Sequence, residues 1–181
     1  MIFTPTRLQG AVLVDIERRE DERGFFARTW CAREFAEHGL STELAQCSLS
    51  YSARSGTLRG MHFQRPPHEE EKLVRCVCGA IWDVVIDLRP ASPTYRQWQG
   101  FELSAANRRA LYIPKGFAHG FQTLADDTEV AYQISAFYAP AAADGVRYDD
   151  PAFAIAWPHP MTALSPRDRA WPDFATTAAD A

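Results

Sequence analysis

The feature that most constrains this chain is an alternation of apolar and polar residues with a period of two, repeated in short blocks almost from end to end. Ala11-Val-Leu-Val-Asp-Ile, Lys72-Leu-Val-Arg-Cys-Val-Cys, Ala80-Ile-Trp-Asp-Val-Val-Ile-Asp-Leu, Gln97-Trp-Gln-Gly-Phe-Glu-Leu, Ala110-Leu-Tyr-Ile and Thr128-Glu-Val-Ala-Tyr-Gln-Ile all carry it. Successive side chains of a strand point to opposite faces, so each block is predicted to be a strand. Turn formers separate them, among them Arg54-Ser-Gly, Pro90-Ala-Ser-Pro and Pro114-Lys-Gly. Helical signals are confined to two places: Thr29 to His38, where Trp30, Ala32 and Phe35 share a face before Gly39, and Pro166 to Trp171. Many short strands with so little helix predict an all-β sandwich or barrel, of which the jelly roll is one closed form.

A length of 181 residues suits one domain, and the eleven Phe and five Trp are ample for its core. We expect that domain over residues 1–175 and a frayed tail over 176–181, where the chain ends in small polar residues. A net charge of −4 excludes a general nucleic-acid binder, which needs surplus Lys and Arg, yet local basic residues can still hold a small phosphorylated ligand. There is no apolar run long enough to span a membrane and no signal-peptide pattern, so a cytoplasmic location is expected. Cys31, Cys47, Cys76 and Cys78 lack zinc-site spacing, and Cys76 and Cys78 read as thiols buried on one strand face.

Chemistry gathers around Leu58-Arg-Gly-Met-His-Phe-Gln64, which sets a phosphate-binding cation, Arg59, close to a titratable base, His62. Strict alternation does not aim both into one cavity; a bend or bulge near Gly60 is required. Further on, Ile113-Pro-Lys-Gly-Phe-Ala-His119-Gly-Phe is similar to the second cupin motif and delivers His119 onto a strand. The first cupin motif pairs two histidines two residues apart so that they share a metal. Here the segment reads His62-Phe-Gln64, and a neutral amide ligates metals poorly. His68, Glu69 and Glu70 follow on a loop, so a metal-dependent oxygenase or isomerase using His62, His119 and a loop carboxylate stays as an alternative. Taken singly, Lys72 reads as a solvated strand end, Asp83 and Asp87 as outer-face residues, and Tyr132 as core packing.

Taken together and in order, these segments resemble the dTDP-4-dehydrorhamnose 3,5-epimerase family. The resemblance runs from about Asp21 to Trp171 and includes Asp21-Glu-Arg-Gly-Phe-Phe, Gly56-Thr-Leu-Arg-Gly-Met-His-Phe-Gln, Lys72-Leu-Val-Arg, Asp83-Val-Val-Ile-Asp-Leu-Arg, the His119 segment, Tyr138-Ala-Pro and Leu164-Ser-Pro-Arg-Asp. It implies a double-stranded β-helix (cupin or jelly roll), a homodimer, no metal and no cofactor. It implies epimerisation at C3, C5 or both of a nucleotide-linked 4-keto-6-deoxysugar. By the same resemblance His62 is the base, Asp168 the carboxylate that orients it, and Tyr132 the acid on the opposite face of the sugar. Arg23, Arg59 and Lys72 match positions that contact the diphosphate or the ketone, and His119 matches another substrate position. Gln46 matches a contact to the nucleotide base, which Phe26 and Tyr138 would sandwich. The residue types suit the reaction, because an α-proton abstraction needs a base titrating near neutrality, a protonated acid opposite it, and a cation for the enolate oxygen.

The chain also departs from the family pattern. Arg28 stands where a Glu is usual, Ser48 where an Asn is usual, Ala143 and Asp144 precede Gly145 in place of a Glu, and Arg167 replaces a Lys. These are substrate-contact positions. They leave open a nucleotide other than dTDP, and a module that keeps the fold and binds a sugar nucleotide without turning it over.

Overall fold

A computed structural model describes residues 1–174, so the expected tail over 176–181 lies outside the described residues. The predicted blocks are strands, arranged in two sheets. Six strands pair in the order β1 (Ile2–Pro5), β2 (Val12–Asp15), β10 (Ala110–Ile113), β7 (Lys72–Cys78), β12 (Thr128–Ile134) and β5 (Gln46–Ser52). Five pair in the order β13 (Ala143–Gly145), β6 (Leu58–Gln64), β11 (Phe117–Thr123), β8 (Ala80–Asp87) and β9 (Trp98–Ser104). A separate hairpin joins β3 (Arg19–Asp21) to β4 (Gly24–Phe26). Every ladder within the sheets is antiparallel, as in the jelly roll the alternation predicts.

The sheets meet on an apolar layer that includes Val74, Cys76 and Val130 from one and Ile81, Val85 and Phe121 from the other. Strand β8 is buried on both faces. Its odd-numbered residues enter that layer, while Val84 and Ile86 pack under a second cluster with Met61, Val146 and Phe153. This overturns the outer-face reading of Asp83 and Asp87: both are fully buried, because they share the parity of Ile81 and Val85 and so lie on the inner face of β8, between the sheets. Asp87 is satisfied by Arg89, Ser92 and Thr94.

Strand β1 pairs with β2 and extends the larger sheet. Two other expectations change. Cys76 is buried but Cys78 is exposed, because the β7–β12 register shifts between Glu129 and Val130 and breaks the alternation. Helix α1 is confined to Ala32–Glu37. Phe35 is buried beside Trp30 as expected, whereas Ala32 is exposed. The second helix, α2 (Pro166–Arg169), begins at Ser165, whose hydroxyl accepts from the Asp168 N–H at 3.0 Å and caps it. Among the described residues no helix is long and apolar enough to cross a membrane.

Candidate active site

Strand β6 supplies the irregularity that the sequence required. His62 pairs with His119 and Arg59 with Phe121, so three steps on β6 oppose two on β11. The extra residue reverses the alternation and turns Arg59 and His62 to the same face. Gly60 makes this possible: its φ is +132°, and an added Cβ would lie 2.4 Å from Gly120 Cα.

That face opens on a cavity of about 270 Å³ between the sheets. Arg59, His62 and His119 line it from the five-stranded sheet, and Gln46, Ser48, Lys72 and Tyr132 from the six-stranded sheet. Tyr138 and Arg167 stand at its mouth, where Arg167 Nη1 donates to Tyr138 Oη at 3.2 Å and the Tyr138 N–H donates to Gln46 Oε1 at 3.2 Å. A second cavity of about 520 Å³ shares Arg59, His62, Tyr132 and Arg167 with the first and adds Asp168 and Ser165. His62 and Tyr132 therefore stand where the two spaces meet.

His62 Nε2 lies 2.6 Å from Asp168 Oδ1, and Gly60 N–H donates to Asp168 Oδ2 at 3.3 Å. Burial pushes the Asp168 carboxyl up, but the bond and charge of His62 outweigh it, so its pKa lies below the ordinary value. A carboxylate only accepts, so His62 Nε2 carries the proton and Nδ1 is left to act as base. Tyr132 is the complement. Burial pushes its phenol well above the ordinary range, against the weaker pull of Ser50 and Arg59, so it stays protonated at neutral pH.

Other side chains have fixed partners. Arg59 donates from Nε to Ser52 Oγ at 3.1 Å and from Nη2 to Tyr51 O at 2.7 Å. His119 Nε2 lies 2.8 Å from Asp83 Oδ1, and its ring meets that of Tyr132 edge-on with centroids 6.2 Å apart. Both histidines thus commit Nε2 to a carboxylate, and among the described residues no group of His, Cys, Asp and Glu could hold a metal. Lys72 is buried rather than solvated, with Nζ 3.0 Å from Glu70 Oε1.

Two predicted site residues lie elsewhere. Arg23, with its side chain 84% exposed and paired with Asp21, and Phe26, 74% exposed, sit on the β3–β4 hairpin away from the cavity. Arg28 is likewise remote, bonded to Glu34 at 2.8 Å. Three residues to which the sequence assigned no part in an epimerase site touch it, Glu70 having been read only as one of the loop carboxylates of the metal-dependent alternative. Asp83 holds His119, Glu70 holds Lys72, and Trp171 meets the His62 ring edge-on at 6.5 Å. The spacing of Glu70, two residues before Lys72, was the available signal for one of them.

The model of the dTDP-4-dehydrorhamnose 3,5-epimerase family matches residues 5–176. The chain belongs to this family. It is 44% identical over 172 residues to dTDP-4-dehydrorhamnose 3,5-epimerase of Methanothermobacter thermautotrophicus, covering 93% of this chain and 92% of that one. It is 42% identical over 170 residues to dTDP-4-dehydrorhamnose 3-epimerase of Streptomyces niveus, covering 93% and 82%. The crystal structure of the 3,5-epimerase of Bacillus anthracis, with TDP and PPi bound, superposes with a TM-score of 0.92 at 40% identity, covering 96% and 99%. Membership bears out the epimerase activity on a dTDP-linked sugar and the cupin-type fold that the sequence predicts, and the metal-dependent alternative is not favoured.

Proposed function

We propose that this epimerase inverts C3, C5 or both of a dTDP-linked 4-keto-6-deoxysugar by proton transfer between two side chains, without a metal or redox cofactor. The observation that carries the reading is that base and acid come from different sheets. His62 rises from β6 and Tyr132 from β12, so a sugar ring held between the sheets meets one on each face. His62 Nδ1 takes the proton next to the ketone, and Asp168 stabilises the imidazolium that results. The electron pair passes to the ketone oxygen, where Lys72 offers its ammonium to the enolate. Tyr132 then gives its proton to the opposite face of the carbon, and the configuration inverts.

Arg59 and Arg167 serve the diphosphate, and Gln46, Ser48 and Tyr138 the nucleotide base, with His119 against the sugar. Arg23 and Phe26 lie outside their own chain's cavity on an exposed hairpin, which supports a homodimer in which a second copy brings them to the ligand. Light scattering is expected to give twice the chain mass, and titration with dTDP is expected to weaken on Phe26→Ala. Turnover of the 4-keto sugar linked to dTDP, GDP, CDP and UDP tests the nucleotide. Preference for dTDP supports the reading, and preference for another nucleotide overturns that part of it.

A further inference from the structure

Gln64 stands where a metal-binding cupin carries its second histidine, and its amide is fully engaged. The two hydrogens of Nε2 are shared among His68 O at 2.9 Å, Glu70 Oε2 at 2.9 Å and the more distant Phe137 O at 3.2 Å, while Oε1 accepts from the Ala139 N–H at 2.6 Å. The bond to Glu70 bears on the chemistry. The other oxygen of that carboxylate lies 3.0 Å from Lys72 Nζ, and both side chains are nearly buried, 12% and 9% exposed, in the cavity wall. Glu71 is turned away to Ser135 and Lys115.

A lysine ammonium sits on a flexible four-carbon stem with three rotatable donors, so it is aimed only if something holds it. Glu70 does so here and is itself held by Gln64. One N–H of Lys72 goes to the carboxylate, and two remain for an oxygen in the cavity.

We propose that Glu70 is a positioning residue for the epimerisation, anchored by Gln64 so that it keeps the Lys72 ammonium aimed at the ketone oxygen on which the enolate charge develops. The inference rests on the epimerase reading above. Fixed charge placed in advance stabilises such an oxyanion most, because no reorganisation is needed as the charge appears. The amide that displaced a metal ligand thereby acquires a task in a reaction whose oxyanion is met by an ammonium.

The test is a double-mutant cycle read by proton exchange and turnover of a dTDP-linked 4-keto-6-deoxysugar. Glu70→Gln keeps the shape and an oxygen for Gln64. It is expected to lower kcat about 100-fold, the scale on which a misplaced catalytic group costs rate, with KM changed less than about threefold. In the Lys72→Ala background the same substitution is expected to change kcat less than about twofold, since a residue acting through Lys72 has nothing left to position. Thermal unfolding and dTDP binding check that the variants are folded. Should Glu70→Gln fold poorly, Glu70→Asp, whose shorter arm keeps the charge but not the reach, carries the same cycle. An equal loss in both backgrounds, a retained kcat, or a loss confined to KM overturns the assignment. A lack of exchange by the unmodified enzyme with any 4-keto nucleotide sugar overturns instead the functional reading on which it rests.

Discussion

In the proposed mechanism Asp168 joins catalysis to stability through one hydrogen bond, because the carboxylate bonded to His62 is itself kept ionised by that contact. Asp168→Asn is expected to lower kcat by about 10²-fold to 10⁴-fold, since an amide can hold the imidazole in the wrong tautomer and does not stabilise its charged form. The same contact sets a pH dependence of folding. A carboxyl whose folded pKa lies below its ordinary 3.8 contributes stability that is fully present above that value and is lost as pH falls through the lower folded value. Urea unfolding of Asp168→Asn is therefore expected to be less pH-dependent below about pH 4 than that of the unmodified protein. Tyr132 shifts the opposite way: burial holds its proton past the ordinary phenol value of 10.0. The near-ultraviolet difference between the unmodified protein and Tyr132→Phe is expected to show no phenolate signal up to pH 10, and a phenolate titrating near neutrality would remove Tyr132 as the acid.

At the scale of elements, the bulge in β6 gathers the site. Gly60→Ala would set a Cβ 2.4 Å from Gly120 Cα at a φ of +132°, with the His119 carbonyl 3.0 Å away. Strain and backbone clash together are expected to cost about 3 kcal/mol or more in urea unfolding and to misalign Arg59 from His62. The strands were legible because inward and outward residues alternate, and the need for a bulge followed from Arg59 and His62 having opposite parity. Asp83 and Asp87 were misread for a physical reason. Alternation assigns residues to two faces but does not say which points inward, and β8 is apolar on both: Val84 and Ile86 lie under Phe153 and Val146, while Asp83 and Asp87 share the inner face with Ile81 and Val85. Glu70 was less legible still, because its role depends on where the loop before β7 folds back onto Gln64. The hairpin positions Arg23 and Phe26 were expected at the ligand from family resemblance alone, and no periodicity in the chain places them there.

Across the whole molecule, two antiparallel sheets hold His62 and Tyr132 on opposite walls of one cavity, with the Lys72 ammonium beside them, as the proposed proton transfer requires. Because each histidine spends Nε2 on an aspartate, prolonged dialysis against a strong chelator is expected to leave kcat unchanged. Recovery of lost activity by an added divalent cation would contradict this. In the proposed mechanism His62 removes the proton and Tyr132 replaces it from the other side. The most direct measurement is epimerisation of a dTDP-linked 4-keto-6-deoxysugar in heavy water, followed by NMR of the product. Deuterium is expected at each inverted carbon with the unmodified enzyme, no exchange with His62→Asn, and exchange without inversion with Tyr132→Phe. Inverted product that carries no deuterium, or inversion that survives the loss of either residue, would contradict this mechanism.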